Sequence, residues 1–212
     1  MGKCENKKVG IMGGTFDPIH IGHLILAEKA YEQFDLNKVL IMPSGNPPHK
    51  KDRKGLGSME ERIEMVRLAI KNNPHFEISL VESIDEGYSY TNNTLANLKK
   101  TNQNTEYFFI MGADSLFNFE KWKEPKEICK KCTLVVATRD DISITKLDSQ
   151  IIYLKEKFNA KVEKLETSNI DISSNVIRQL IKEEKTIKYY VPDLVINYIE
   201  KKGIYKECEV GE

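Results

Sequence analysis

The chain has 212 residues, 32 basic and 32 acidic, long enough for one α/β domain with its own core and with no net pull towards nucleic acid or an anionic membrane. Its opening, Met1-Gly2-Lys3-Cys4-Glu5-Asn6-Lys7-Lys8, lacks the apolar core of a secretion signal, and no later stretch reaches the roughly 18 apolar residues that cross a bilayer. The expectation is a cytoplasmic protein with no nucleic-acid or membrane partner, needing neither disulfides nor a structural metal.

The first apolar run, Val9 to Met12, has strand length, and Leu24, Ala27, Tyr31 and Phe34 then recur at helical spacing. Between them lies Gly13-Gly14-Thr15-Phe16-Asp17-Pro18-Ile19-His20-Ile21-Gly22-His23-Leu24. A strand, a glycine turn and a helix start, in that order, make a site for a large anion. The glycines allow close backbone approach, the helix N-terminus offers amides, and His20 and His23 face the same spot. Such a group suits a nucleoside triphosphate. Taken singly, a glycine pair is a turn and a lone histidine a surface or packing residue; the signal lies in the whole string holding one register.

A second strand, Val39 to Met42, precedes the basic loop Pro47-Pro48-His49-Lys50-Lys51-Asp52-Arg53-Lys54, in which Lys51, Arg53 and Lys54 read as solvated surface. Ser58-x-x-Glu61 is a capping box that opens a helix carrying Ile63, Val66 and Ile70. A third strand is expected over Phe76 to Val81, and a fourth over Tyr107 to Met111. The fourth runs into Gly112-Ala113-Asp114-Ser115-Leu116: Gly112 permits close approach of a ribose or base, and Asp114 either accepts from ribose hydroxyls or caps a helix. Trp122, the only tryptophan, is either core or a flat face for a heteroaromatic ring.

Cys129 and Cys132 form a Cys-x-x-Cys at a helix end before the strand Leu134 to Ala137, the wrong context for a redox motif, and read as reduced bystander thiols. A sixth strand follows at Lys161 to Leu165, then two helices, Ser173 to Glu183 and Pro192 to Lys202, with Pro192 suited to a first turn. In Ile172-Ser173-Ser174-Asn175-Val176-Ile177-Arg178 a serine cap and an arginine four residues past Ser174 make either an anion cradle or a plain capped helix. Residues 206–212 read as a loose tail. Alternating β and α elements, with strands apolar on both faces, predict an α/β fold: a Rossmann-like, doubly wound parallel sheet with a helical C-terminal subregion. Ligands in such a sheet bind beyond the strand C-terminal ends, near the switch point, where the opening motif lies.

Gly13 to His23 resembles the G-x-F-x-P-x-H-x-G-H signature of the nucleotidylyltransferase superfamily, whose His-x-Gly-His is shared with class I aminoacyl-tRNA synthetases. Ile172 to Arg178 is similar to the superfamily's Ile-Ser-Ser-Thr-x-Ile-Arg element, which contacts ATP phosphates, with Asn175 in place of the usual Thr. Gly112-x-Asp114-Ser115-Leu116 with Trp122, and Tyr88-Ser89-Tyr90-Thr91, resemble the nicotinate pocket of the bacterial nicotinate mononucleotide adenylyltransferases. Pro47-Pro48-His49-Lys50 and Arg139 match further elements of that family.

The resemblance implies one domain over residues 1–212, with a core of about 8–170 and a helical subregion of about 171–205. It implies adenylyl transfer from ATP to nicotinate mononucleotide, giving deamido-NAD and pyrophosphate, a step of NAD biosynthesis. His20, His23, Lys50 and Arg178 would be catalytic, with Gly13, Gly14, Thr15, Phe16, Gly112, Asp114, Ile172, Ser173 and Ser174 on ATP. Tyr90, Thr91, Trp122 and Arg139 would hold nicotinate mononucleotide. Mg2+ is expected with ATP, held by phosphates and water, and a homo-oligomer is compatible with the chain. The competing readings are transfer to nicotinamide mononucleotide or phosphopantetheine, cytidylyl transfer, and a non-catalytic nucleotide-binding regulator. A regulator would be expected to lose the histidines or Arg178, and all are present.

Overall fold

A computed structural model describes residues 7–45, 57–82, 90–137, 144–167 and 170–206. In chain order the elements are β1 (Lys7–Gly14), α1 (Ile21–Gln33), β2 (Lys38–Pro43), α2 (Met59–Ile70), β3 (Phe76–Ile78), α3 (Thr91–Thr101), β4 (Thr105–Gly112) and α4 (Ala113–Phe117). A 3-10 turn (Phe119–Lys121) leads to α5 (Pro125–Cys129), β5 (Cys132–Ala137), α6 (Ile144–Phe158), β6 (Val162–Leu165), α7 (Ser174–Lys182) and α8 (Asp193–Lys202).

All six strands pair in parallel in the order β3-β2-β1-β4-β5-β6, with Ile11 opposite Leu40 on one side and Phe109 on the other. The period-2 alternation of a strand explains why the apolar runs are unbroken. Met12, Val39, Ile41, Phe108, Ile110, Val135 and Ala137 enter a core shared with α1, α2, α7 and α8. Val9, Ile11, Leu40, Met42, Phe109, Met111, Leu134 and Val136 enter a second core with Leu95 of α3, Leu116 of α4, Ile128 of α5 and Leu147, Ile151 and Leu154 of α6. The chain thus covers both faces of the sheet and reverses direction between β1 and β4, so the crevice of the fold opens beyond their C-terminal ends.

The expected doubly wound parallel sheet is present, with three local differences. Strand β3 stops at Ile78 and not Val81: Ser79 N–H still reaches Ile41 O at 2.9 Å, but the next rung needs an amide from Pro43, which has none. Pro192 is the N-cap of α8 and not a first-turn residue, leaving Asp193 to open the helix and pair with Lys188 at 2.6 Å. The inward face of α2 is not the expected Ile63, Val66 and Ile70 alone: Arg62 and Met65 are buried, and Ile63 is only half-buried. The Ser58–Glu61 capping box forms as expected, with reciprocal bonds of 3.2 and 2.7 Å. At the far end of α8, Gly203 takes the left-handed conformation (φ 66) that lets the chain turn back and bury Ile204 and Tyr205. Residues 207–212, Lys50 with the rest of its loop, Tyr88, Ser89 and Arg139 lie outside the described residues. Among the described residues no helix is long and apolar enough to cross a membrane.

Candidate active site

His20 is the N-cap of α1, with extended backbone, and its place is fixed from a distance because the next amide, Ile21 N–H, donates to Tyr190 O at 2.9 Å. The His20 backbone N–H donates to His23 Nδ1 at 3.3 Å, so neutral His23 carries its proton on Nε2 and offers a donor there. The two rings stack at 3.6 Å between centroids, 26° from parallel, and Phe16 meets His23 edge-on at 5.0 Å. Gly22 between them is small for a reason: a Cβ there would lie 3.1 and 3.2 Å from Nδ1 and Cε1 of His20. The spacing His-x-Gly-His therefore fits two rings lying one on the other over a helix start.

From the opposite side comes α7. Ser173 is its N-cap and accepts from Val176 N–H at 3.3 Å, while Ser174 Oγ donates to Pro18 O at 2.9 Å and Arg178 Nη1 to Asp17 O at 2.6 Å. Arg178 also donates to the Asn175 side-chain oxygen, so the residue found where Thr is usual steadies the guanidinium. Asp17 is buried; its Oδ1 accepts from Tyr205 Oη at 2.6 Å and from Gly57 N–H at 3.0 Å. Burial, reinforced by the Asp17 carboxyl, pushes the Tyr205 phenol well above its ordinary value, so it remains a donor. The loop after β1 is thereby tied to α7, to the entry of α2 and to the chain following α8.

These ties leave a cavity of about 260 Å³ walled by His20, Gly22, His23, Leu26, Gly112, Ala137, Thr167, Ile170, Ile172, Ser173 and Ser174. It lies at the C-terminal ends of β4 and β5 against the starts of α1 and α7, where the topology leaves its crevice. His20 is only 6 % exposed, yet it is among the residues that wall the cavity, and its ring stacks on that of half-buried His23. Six of the expected ATP-site residues meet here: His20, His23, Gly112, Ile172, Ser173 and Ser174. A Cβ on Gly112 would meet nothing within 4 Å, consistent with a glycine that leaves room for a ligand.

The others sit differently. Phe16 is buried, so its ring supports His23 and only its backbone is available to a nucleotide. Gly14 is required by that packing, because a Cβ would come within 2.9 Å of the Phe16 ring, whereas Gly13 has ordinary room at 3.6 Å. Asp114 is exposed and inside α4, whose N-cap is Gly112, so a capping role for its carboxylate does not hold. Arg178 is outside the cavity wall, engaged on the Asp17 carbonyl. Tyr90, Thr91 and Trp122 lie on the other face of the sheet: Tyr90 caps α3, Thr91 begins it, and half-buried Trp122 packs against Phe109 and Phe119 at 5.8 and 5.3 Å. Lys123 Nζ is 4.2 Å from the Tyr90 ring centre, and buried Asn92 donates to Glu124 while accepting from Lys131 Nζ at 2.7 Å. These contacts join the Trp122 segment to the start of α3.

Sequence reasoning missed Arg62, Tyr205, Asn92, Thr167 and Ile170. Only Arg62 left a mark, as a charged residue on the helical stripe of Met65, Val66 and Ile70. Cys129 ends α5 and Cys132 opens β5; burial pushes Cys129 up to about 11 and Cys132 higher, so neither is a thiolate at neutral pH.

A family model for cytidylyltransferase-like proteins matches residues 11–180. A protein of Lachnoclostridium phytofermentans named "Probable nicotinate-nucleotide adenylyltransferase" is 44% identical over 199 residues, covering 94% of this chain and 99% of its own. One of the same name from Clostridium botulinum is 42% identical over 201 residues, covering 95% and 99%. Among solved structures, the Plasmodium falciparum nicotinic acid mononucleotide adenylyltransferase complexed with NaAD superposes with a TM-score of 0.75 at 21% identity, covering 94% of this chain and 97% of that one.

Proposed function

The chain belongs to the cytidylyltransferase-like family, among its nicotinate-nucleotide adenylyltransferases, and from that premise we propose that it transfers the adenylyl group of ATP to nicotinate mononucleotide, releasing pyrophosphate and forming deamido-NAD. The observation that carries this reading is the stacked His20–His23 pair facing the start of α7 across a cavity at the switch point of the sheet.

The phosphate of a mononucleotide is already an anion at neutral pH, so no base has to unmask the nucleophile. Catalysis then rests on alignment and on meeting the charge that builds on the transferring and leaving phosphates. His23 Nε2–H is a donor for that charge, and its tautomer is set by the backbone bond to Nδ1. The Ser173 hydroxyl and the backbone amides at the start of α7, that of Ser174 among them, are assigned to the phosphate oxygens, helped by the positive end of the helix, while Ser174 Oγ stays on Pro18 O. Arg178 holds the turn at Asp17 and adds positive charge behind the phosphates. Lys50, which falls between β2 and α2 in the sequence, is assigned to the departing pyrophosphate, and Arg139 to the acceptor. Tyr90, Thr91 and Trp122 receive the pyridine ring and its carboxylate at the far side of the β4 end. Among the described residues no group of three or more His, Cys, Asp or Glu has the arrangement to hold a metal ion. Magnesium enters this proposal as part of the substrate, carried by ATP on its phosphates and water.

The experiment is pyrophosphate release from ATP with four acceptors: nicotinate mononucleotide, nicotinamide mononucleotide, phosphopantetheine and choline phosphate. Turnover with the first, exceeding the others by at least tenfold in kcat/KM, is expected. Preference for phosphopantetheine or choline phosphate overturns the assignment, and binding of ATP without turnover of any acceptor would identify a regulator.

A further inference from the structure

The turn after β1 passes through Phe16 at φ 50, a left-handed conformation that a residue with a Cβ rarely adopts. The carbonyls on both sides of it are held. Asp17 O accepts from Arg178, and Thr15 O accepts from Arg62 Nη1 at 2.7 Å. The same Arg62 nitrogen donates to Ser44 O at 2.9 Å, just past the end of β2, and Ser44 N–H donates in turn to Gly14 O at 2.8 Å.

Arg62 is 1 % exposed on the inward face of α2, beside Met65 and Val66. Were packing its only task, an apolar side chain of similar volume would serve at lower desolvation cost. What the guanidinium does that an apolar group cannot is gather the ends of β1 and β2 through their carbonyls. In a trans peptide the C=O and the following N–H point in opposite directions. With Gly14 C=O turned to Ser44 and Thr15 C=O turned to Arg62, the Thr15 amide is aimed away from the end of β2 and the Phe16 amide away from α2. The same restraint keeps the Phe16 ring where it meets His23.

We propose that Arg62 is a positioning residue for adenylyl transfer: buried beneath the turn, it holds Phe16 in the left-handed form, which aims the Thr15 and Phe16 amides at the nucleotide and props the His23 ring. The proposal deepens the functional reading above and rests on it. Arg62 touches no substrate, so its effect passes through the turn.

The test compares Arg62→Met, which keeps the bulk and removes the donors, with Val66→Ala, which loosens the same buried face of α2 without touching the turn. ATP affinity by calorimetry and kcat by pyrophosphate release are both measured at least 15 °C below each protein's Tm. Arg62→Met is expected to bind ATP about tenfold more weakly and to lose about tenfold to a hundredfold in kcat, the scale of displacing reacting groups by a fraction of an ångström to one ångström. Val66→Ala should lose Tm and keep both values within twofold. Arg62→Met with ATP affinity and kcat within twofold of the parent overturns the proposal, as does an equal loss in Val66→Ala. Should Arg62→Met not fold, Arg62→Gln, whose amide is too short to span both carbonyls, takes its place under the same criteria. If the parent protein turned over no acceptor, the functional reading would fall; the ATP affinities of the variants would still decide the role of Arg62.

Discussion

Gly22→Ala separates the stability of the site from its function. The added Cβ would stand 3.1 Å from His20 Nδ1 and 3.2 Å from Cε1, with Ile170 Cγ2 at 3.6 Å behind. Ordinary carbon contacts lie near 3.5–4.0 Å, so the His20 ring must retreat by about half an ångström. It is buried and stacked 3.6 Å from His23, and the second ring has to follow. A displacement of about 1 Å in a reacting group costs on the order of a hundredfold, which puts half that movement near tenfold in kcat. Stability should barely change. Alanine gains about 0.5–1 kcal/mol over glycine in a helix, and crowding one ring costs about 1 kcal/mol at the low end of overpacking. At about 2–4 °C per kcal/mol for a chain of this size, Tm should stay within about 4 °C. The assay is initial-rate pyrophosphate release beside a thermal melt. A variant with kcat within twofold of the parent would refute the argument that the small residue exists to seat the histidine pair.

Tyr205→Phe removes a 2.6 Å bond to the buried Asp17 carboxyl, worth about 1.5–3 kcal/mol, and should lower Tm by about 3–12 °C at pH 7. Because burial and Asp17 raise the phenol above its ordinary 10.0, the folded protein keeps this proton while the unfolded chain loses it. The contribution is therefore complete below pH 10, and parent stability falls by about 1.4 kcal/mol per pH unit above it. The gap between parent and variant should narrow from pH 10 to 11 in denaturant melts; a gap that widens contradicts the sign. Asn92→Leu breaks the bonds to Glu124 and Lys131 that join the Trp122 segment to α3, and should raise KM for nicotinate mononucleotide by about tenfold, the scale of one lost buried polar pair, with KM for ATP unchanged. Steady-state kinetics in both substrates reads this directly, and equal changes in the two KM values would remove Asn92 from the acceptor side.

Much of the fold was legible because β1, β2, β4 and β5 are buried on both faces and so appear as unbroken apolar runs. Helix α3 was not, since Thr-Asn-Asn-Thr-Leu-Ala-Asn-Leu offers poor helix formers and its buried positions include Asn92 and Thr94. Helix α6 had a signal, Leu147, Ile151 and Leu154 at helical spacing, and goes unnamed in the sequence reading all the same. The histidines, the Ser173–Ser174 pair and Gly112 were visible as local strings, and they meet at one cavity. Their supports were not visible: Tyr205 stands 188 positions from Asp17 and Arg62 stands 47 from Thr15, so no local pattern could pair them. Local motifs supply the groups that line the cavity; long-range hydrogen bonds hold those groups in place.

His23→Ala removes one of the two stacked imidazoles proposed to meet the phosphates of ATP during transfer. His23 is half-buried at the cavity wall, so its loss leaves the two cores of the sheet intact. With circular dichroism and Tm close to the parent, kcat for pyrophosphate release from ATP and nicotinate mononucleotide should fall by about a hundredfold or more, the usual cost of removing one oriented donor to a developing charge. Turnover near the parent value in the folded variant would show that the imidazole does not meet that charge.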